Sequence, residues 1–253
     1  MNKSVIKALK LLDYFTDETP ERTLKEITKV AKIPKPTVYR MMKSLEYCGY
    51  IIKTKESEHN TTYRLGLKLL ELGHRVSEQL EIRKVALPYM KELGTTLNEV
   101  VHLVVEHNNE AVYIEKVESN RVLRLYTKIG KRSPLYLGSG PKLLLAFSDE
   151  KKQHEILHHQ PLSQLTNDLP VDKNVLYQQL KMIRQNGYAM SVGEQDKETT
   201  GVSYPVFDYH GKVIAAIAVS GLSIHFTGDA LDKIKLATKK CTEHISAQLG
   251  YRQ

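Results

Sequence analysis

One short motif in the sequence has the residue types of a hydrolytic zinc site. His154-Glu155-Ile156-Leu157-His158 has the H-E-x-x-H spacing, which on a helix places two imidazoles on one face and a glutamate beside them as a general base. The charged run 149–153 before it predicts an exposed helix, whereas hydrolytic zinc needs a dry, shaped cavity. Nothing marks a third ligand, for which the candidates are His159, His210, His225 and His244. We therefore expect no metal, no cofactor and no enzymatic activity, and a zinc hydrolase is the alternative.

Basic residues in the first quarter of the chain could bind a polyanion. The 253 residues include 37 Lys and Arg against 29 Asp and Glu, a formal net charge of +8. Residues 1–65 hold 13 of the basic and 8 of the acidic residues, a local charge of +5 in about a quarter of the length. Such clustering is the electrostatic footprint of a nucleic-acid surface.

Three short helices and a hairpin would position these residues. Thr23 and Glu26 form a capping-box pattern at the start of the second helix, and Pro36 suits the first position of the third. The apolar face of the third helix consists of Val38, Met41, Met42 and Leu45. The β-rich runs 50–55 and 61–65 follow Gly49 and predict a hairpin.

This order of elements predicts a winged helix-turn-helix over residues 1–65. Its third helix would lie in the major groove of duplex DNA, and the hairpin would lie beside the phosphate backbone. The candidate DNA contacts are Lys35, Thr37, Tyr39, Arg40, Lys43, Lys53, Lys55 and Arg64. The alternative is that the basic residues form only a solvated face.

A separate helix is predicted over residues 66–80, and it continues helically over 82–93 with a kink at Pro88. Its apolar stripe consists of Leu69, Leu72, Val76 and Leu80. Such a stripe is typical of a core helix, but between two domains it is also suited to be a dimer seam.

Strand patterns dominate the larger remainder, residues 81–253. The predicted strands are 100–105, 111–117, 122–129, 188–192, 202–209 and 213–220. The predicted helices are 142–147, 149–159, 172–185 and 228–249. Strands joined mostly by hairpins, with helices grouped at the ends of the run, favour an antiparallel α+β domain, which commonly encloses a small pocket.

The composition also bounds the compartment of the protein. No run approaches the roughly 18 apolar residues of a membrane span, so no membrane partner is expected. The two cysteines, Cys48 and Cys241, cannot build a disulfide framework, which favours a reducing, cytoplasmic setting. Each is expected to pack as a small core residue.

Several segments, in their order along nearly the whole chain, resemble transcriptional regulators of the IclR family. They are 4–9, 24–27, Lys35-Pro36-Thr37-Val38-Tyr39-Arg40, 63–66, 130–135, 187–188, 205–208 and 215–221. The resemblance implies a winged helix-turn-helix, a dimerising linker helix and a GAF-like effector domain with an antiparallel sheet. It also implies a small-molecule effector, often an organic acid, and dimers or tetramers on pseudo-palindromic operators.

The resemblance also implies which residues bind the effector. They are Gly138, Ser139, Gly140, Ser191, Gly201, Ala218 and Ser220. In this chain Pro141 replaces a usual glycine, Ser191 stands where relatives can have an acid, Gly201 where some have cysteine, and Ala218 where some have serine. Glu194 matches a recurrent acid of the family. Small residues at these positions also suit turns and tight packing.

We therefore expect a metabolite-responsive, sequence-specific DNA-binding regulator, and specifically a repressor. Besides the zinc hydrolase, the remaining alternative is a nonspecific DNA-compacting protein. That protein would not prefer an operator to random DNA, and it would leave the large α+β domain without a purpose.

Overall fold

The computed structural model describes residues 1–57, 60–79, 81–122, 127–158, 162–163 and 170–252. The chain divides into two compact units, Met1–Gln79 and Leu80–Gln253. No described helix is both long enough and apolar enough to cross a bilayer.

The first unit is a helix-turn-helix followed by a hairpin. Its elements are α1 (Lys3–Lys10), a 3₁₀ turn (Leu12–Tyr14), β1 (Glu21–Thr23), α2 (Leu24–Ala31), α3 (Lys35–Tyr47), β2 (Ile51–Ser57), β3 (Asn60–Leu65) and α4 (Leu67–Gln79). The short strand β1 pairs antiparallel with β3, opposite β2, and extends the hairpin to a three-stranded sheet. The sequence did not predict β1.

Local sequence signals set the ends of the two helices at the turn. Thr23 and Glu26 form the predicted capping box at the start of α2, and Lys32 ends α2 in the left-handed conformation. The helix α3 begins at Lys35, one residue before the predicted start, so Pro36 lies in its first turn. This places the basic side chain of Lys35 within the helix.

A small apolar core holds the first unit together. It consists of Leu11, Phe15, Ile27, Val38, Met42, Leu45, Ile51 and Tyr63. The residues of α3 in this core lie on the predicted inward face, although Met41 is only partly buried. The prediction that Cys48 packs in the core is wrong, because Cys48 follows the last turn of α3 and is exposed.

The second unit is an antiparallel sheet with helices on both faces, which confirms the predicted α+β class. Its elements are α5 (Glu81–Leu97), β4 (Val100–His107), β5 (Glu110–Val117), β6 (Arg132–Pro134), α6 (Ser139–Phe147), α7 (Glu150–His158), α8 (Lys173–Asn186), β7 (Ala189–Val192), β8 (Thr199–Phe207), β9 (Val213–Leu222) and α9 (Gly228–Gln248). The strand order is β6-β5-β4-β9-β8-β7. Three of the helices lie between β6 and β7 in the chain, not at the ends of the run as expected.

The prediction of a third strand in this unit, over 122–129, is wrong for those of its residues that the structure describes. Val122 is a bend and residues 127–130 form no strand, while 123–126 lie outside the described residues. The edge strand is instead β6, which pairs with β5 over three residues. Its short sequence Arg132-Ser133-Pro134 has no alternation from which a strand could be predicted.

Side chains alternate between the two faces of this sheet. One face packs on α5 and α9 through an apolar cluster that includes Met90, Leu103, Ile217 and Ile245. The other face packs on α6 and α8 through Val104, Ala216 and neighbouring side chains. A cavity lies on this second face.

Candidate ligand cavity and nucleic-acid interface

A cavity of ≈120 Å³ lies between the sheet and the start of α6. All seven residues proposed from the sequence line it: Gly138, Ser139, Gly140, Ser191, Gly201, Ala218 and Ser220. The structure therefore brings together residues from α6, β7, β8 and β9 that are far apart in the sequence. That they bind a ligand stays a prediction.

Strand register explains why these residues meet. Ser220 pairs with Gly201 on β8, and Gly201 pairs in turn with Ser191 on β7, so the three form one row across the sheet. Ala218 lies in the next row on the same face and pairs with His102 on β4. Paired residues of an antiparallel sheet point to the same face, so both rows face the cavity.

Glycines let the start of α6 approach the sheet closely. A Cβ at Gly201 would lie 2.8 Å from Oγ of Ser139 and 3.1 Å from Oγ of Ser220, so the bare backbone here keeps the cavity open. Gly138 has a φ of 95°, which side chains rarely adopt. The first-turn amides of Ser139 and Gly140 have no carbonyl partner inside the helix, and they suit an anion.

An ion pair holds the start of α6 to the loop that follows β7. One carboxylate oxygen of Glu194 accepts from the amide of Gly138 at 2.8 Å, and the other contacts Nζ of Lys142. That amine also donates to Oε1 of Gln179 at 3.1 Å. Lys142 is 2% exposed, so the pair provides the charge compensation that burial of an ammonium group requires.

The side chain of Gln195 links the loop after β7 to other parts of the cavity wall by hydrogen bonds. Its Nε2 lies 2.9 Å from the carbonyl oxygen of Leu137, 3.1 Å from Oγ of Ser133 and 3.2 Å from the hydroxyl of Tyr113. Its Oε1 accepts from Nζ of Lys131 at 3.3 Å. Burial lowers the pKa of Lys131, and the charge of nearby Asp196 opposes this change.

None of the other eight lining residues was singled out from the sequence, and two of these eight, His102 and Tyr113, carry buried aromatic rings. Their rings meet edge to face, with centroids 5.2 Å apart. Burial and the charges of Lys116 and Lys131 lower the pKa of His102 to about 3, and the backbone of Ala218 opposes this less strongly. Burial raises the pKa of Tyr113, so both side chains are neutral at physiological pH. The sequence does contain a signal for His102, because it is a polar residue inside the otherwise apolar run 100–105.

The outward face of α3 is open to solvent. Tyr39 is 45% exposed, and Arg40 and Lys43 are exposed beside it, with Nζ of Lys43 4.0 Å from a carboxylate oxygen of Glu46. Lys35 is exposed and Thr37 is half-buried in the first turn of the same helix. A two-turn stripe of this kind fits the major groove.

The hairpin cations do not form one surface. Lys53 pairs with the buried Tyr63, whereas Arg64 pairs with Ile52 on one side and Glu21 on the other, so Lys53 and Arg64 point to opposite faces. The side chain of Lys55 lies outside the described residues. The sequence predicted the strands but not which face each cation would occupy.

The geometry of the zinc-like motif does not suit hydrolysis. His154 and His158 lie on α7 with ring centroids 4.2 Å apart, but they face an open cleft that they share with Lys173, Lys181 and Arg184. Glu155 lines a different cleft, so it is not beside the imidazoles. Within the described part of the chain, no three His, Cys, Asp or Glu side chains cluster in a way that could hold a metal ion.

A winged helix-turn-helix joined to a unit with a polar cavity is the architecture of a DNA-binding transcriptional regulator. The profile of the IclR helix-turn-helix domain matches residues 4–54, and that of the bacterial transcriptional regulator IclR C-terminal domain matches residues 74–247. The chain belongs to the IclR family and is therefore a regulator, not an enzyme.

Relatives of known sequence and structure resemble this chain over almost its full length. The HTH-type transcriptional regulator KipR of Bacillus subtilis is 35% identical, covering 99% of this chain and 98% of that protein. The regulator KdgR of Escherichia coli is 32% identical over 98% of this chain and 93% of its own length. The crystal structure of Thermotoga maritima IclR, at 29% identity, superposes with a TM-score of 0.76 and covers 98% of this chain and 99% of that one.

Proposed function

We propose that the protein represses transcription by binding a pseudo-palindromic operator. Its affinity for that operator would change when a small organic acid fills the cavity. Residues 1–65 would bind DNA, 66–80 would link and dimerise, and 81–253 would bind the effector. The observation that carries this proposal is the convergence of all seven candidate residues on one cavity.

An organic acid suits the polarity of this cavity. Ser139 and Ser220 offer hydroxyl donors at one end, and the first amides of α6 add backbone donors there. Lys131 and Asp196 add one positive and one negative charge to the lining, so the preference for an anion rests on the hydroxyl and amide donors at the start of α6. Pro141 has no N–H, so the cradle depends on Ser139 and Gly140.

Self-association would use α4. Leu67 is 72% exposed and Leu70 is 71% exposed, while Leu69 and Leu72 of the predicted stripe are half-buried. The side chains of Val76 and Leu80 lie outside the described residues. A dimer would set two α3 helices at the spacing of two half-sites, and the effector would shift the population of their arrangements. Such a regulator would act in the cytoplasm.

A gel shift on the intergenic DNA beside its own gene tests this function. We expect binding that survives random competitor DNA and changes with at least one member of a panel of organic acids. Arg40→Ala should weaken operator binding about tenfold, whereas Lys233→Ala removes an exposed charge from α9 and should have little effect. Equal competition by random DNA would favour a DNA-compacting protein.

Light scattering of the same samples tests the assembly. Leu67→Asn with Leu70→Asn should shift the protein towards monomer, because polar side chains remove the apolar contact. Leu236→Asn changes an exposed leucine of α9 and is the matched control. An unchanged molar mass of the double variant would mean that α4 is not part of the interface.

A further inference from the structure

His102 is buried in the wall of the cavity without a hydrogen-bond partner. The residue is 1% exposed, and neither ring nitrogen reaches hydrogen-bond geometry with any described group. Natural proteins nearly always pair such groups, so an orphaned ring in a cavity wall indicates a partner that binds there. The backbone of Ala218, its cross-strand neighbour, interacts with one side of the ring, and this single contact leaves at least one ring nitrogen without a partner.

The chemistry of this partner follows from the neutral imidazole. One ring nitrogen donates a hydrogen bond and the other accepts one. The hydroxyl of Tyr113, beside the ring, accepts from Nε2 of Gln195 and keeps its own proton to donate. This end of the cavity therefore offers donors and an acceptor together, which matches a hydroxyl group on a ligand.

The spacing of the two polar ends limits the length of the ligand. Ser220 lies two residues beyond Ala218 on β9, and His102 pairs with Ala218, so His102 and Ser220 are diagonal neighbours. Diagonal residues of such a pair are about 7–8 Å apart, and their Cβ atoms are somewhat closer. The methyl of Ala218 fills little of the space between them, so a molecule of a few carbons reaches both ends.

We propose that the cavity binds a short hydroxy acid, whose carboxylate contacts Ser220 and the start of α6 and whose hydroxyl hydrogen-bonds to His102. This assignment rests on the proposed function, because it names the effector class of the same cavity. His102 is then the residue that selects for the hydroxyl group, and Ser220 is a residue that holds the carboxylate.

Calorimetric titration with matched acids tests the assignment. The probes are propionate against each enantiomer of lactate, and butyrate against each enantiomer of 3-hydroxybutyrate, with the full-length protein. We expect one hydroxy acid to bind at least about tenfold more tightly than its parent acid. In His102→Leu this preference should disappear while the parent acid still binds, and His102→Asn, which keeps a donor and an acceptor, should restore part of it.

Ser220→Ala is the matched control. It should weaken both members of a pair by a similar factor and leave their ratio unchanged. Equal affinities of both members in the wild type overturn the proposal, and so does a preference that survives His102→Leu. Failure of every acid to bind, with operator binding intact, also overturns it, whereas loss of operator binding in the gel shift is the separate failure of the proposed function. Thermal unfolding of each variant confirms that it is folded.

Discussion

The two faces of the six-stranded sheet differ in what they bury. The face towards α5 and α9 is closed by apolar side chains such as Leu103, Ile217 and Val219. The face towards α6 buries His102 and Ser203, whose polar atoms have no partner among the described residues. The other face also buries a carboxylate, Glu115, but an ion pair with Arg83 of α5 compensates its charge. Because unpaired buried polar groups destabilise a fold, the two unpaired side chains on the face towards α6 support the proposed binding role of that face.

The sharpest test of this difference compares two residues of β9 that point to opposite faces, Ile217 and Ser220. Ile217→Ala should lower the free energy of unfolding by about 2–5 kcal/mol, because it opens a void in the apolar cluster. Ser220→Ala should change it by less than about 0.5 kcal/mol. Urea denaturation measures both. Similar losses in the two variants would mean that the faces do not divide these roles.

The pH dependence of stability should come in part from His102. Its pKa is about 3 in the folded state against an ordinary value of 6.5, so between these values the unfolded chain binds the proton first. Stability should therefore fall as the pH drops below 6.5, by about 2 kcal/mol near pH 5. Denaturation at neutral pH and at pH 5 should show a smaller loss in His102→Asn than in the wild type. Identical losses would mean that the ring does not titrate in this way.

Gly201→Ala tests how tightly the binding face is filled. The new methyl would crowd the hydroxyls of Ser139 and Ser220, and we expect a cost of about 1–2 kcal/mol in unfolding experiments. Gly73→Ala is the control, because nothing lies within 4 Å of a Cβ there and α4 should gain stability by up to about 1 kcal/mol. A higher free energy of unfolding in both variants would show that the side chains around the cavity move aside at little cost.

The smallest expected effect is a difference in reactivity between the two thiols. It tests how well the face packed on α5 and α9 is shielded from solvent. Burial, with the charge of Glu92, raises the pKa of Cys241 to about 12, so its thiolate is scarce near pH 8. Cys48 is exposed. A colorimetric thiol reagent should modify about one group per native chain and two after unfolding. Rapid reaction of both thiols in the native protein would show that this face opens.

The elements with strong local signals were predictable from the sequence. The capping box at Thr23 and Glu26, the inward face of α3 and the α+β class are all present in the structure. The strands β1 and β6 were not predictable, because each has three residues and forms only where a longer partner, β3 or β5, offers free hydrogen-bonding groups.

The candidate site was predictable only where a family pattern marked it. Small residues such as Gly138 and Ser220 came from that pattern. His102 lies in β4, which is buried on both faces, so its apolar run shows no alternation that reveals which way a side chain points. The neighbours of His102 in space depend on the strand register, which the sequence does not show. Gln195 lies in a polar loop, and its hydrogen-bond partners Tyr113 and Ser133 are 82 and 62 residues away in the sequence, so no local pattern marks them.

The bare backbone at Gly201 has a consequence for how such regulators diversify. Any side chain acquired there projects towards Ser139 and Ser220, so a single codon change alters the shape and polarity of the chamber. The helix α3 belongs to the other compact unit and keeps its own core through such a change. Under the proposed function, a change at this one position would alter which effector binds, without a change in which DNA is bound.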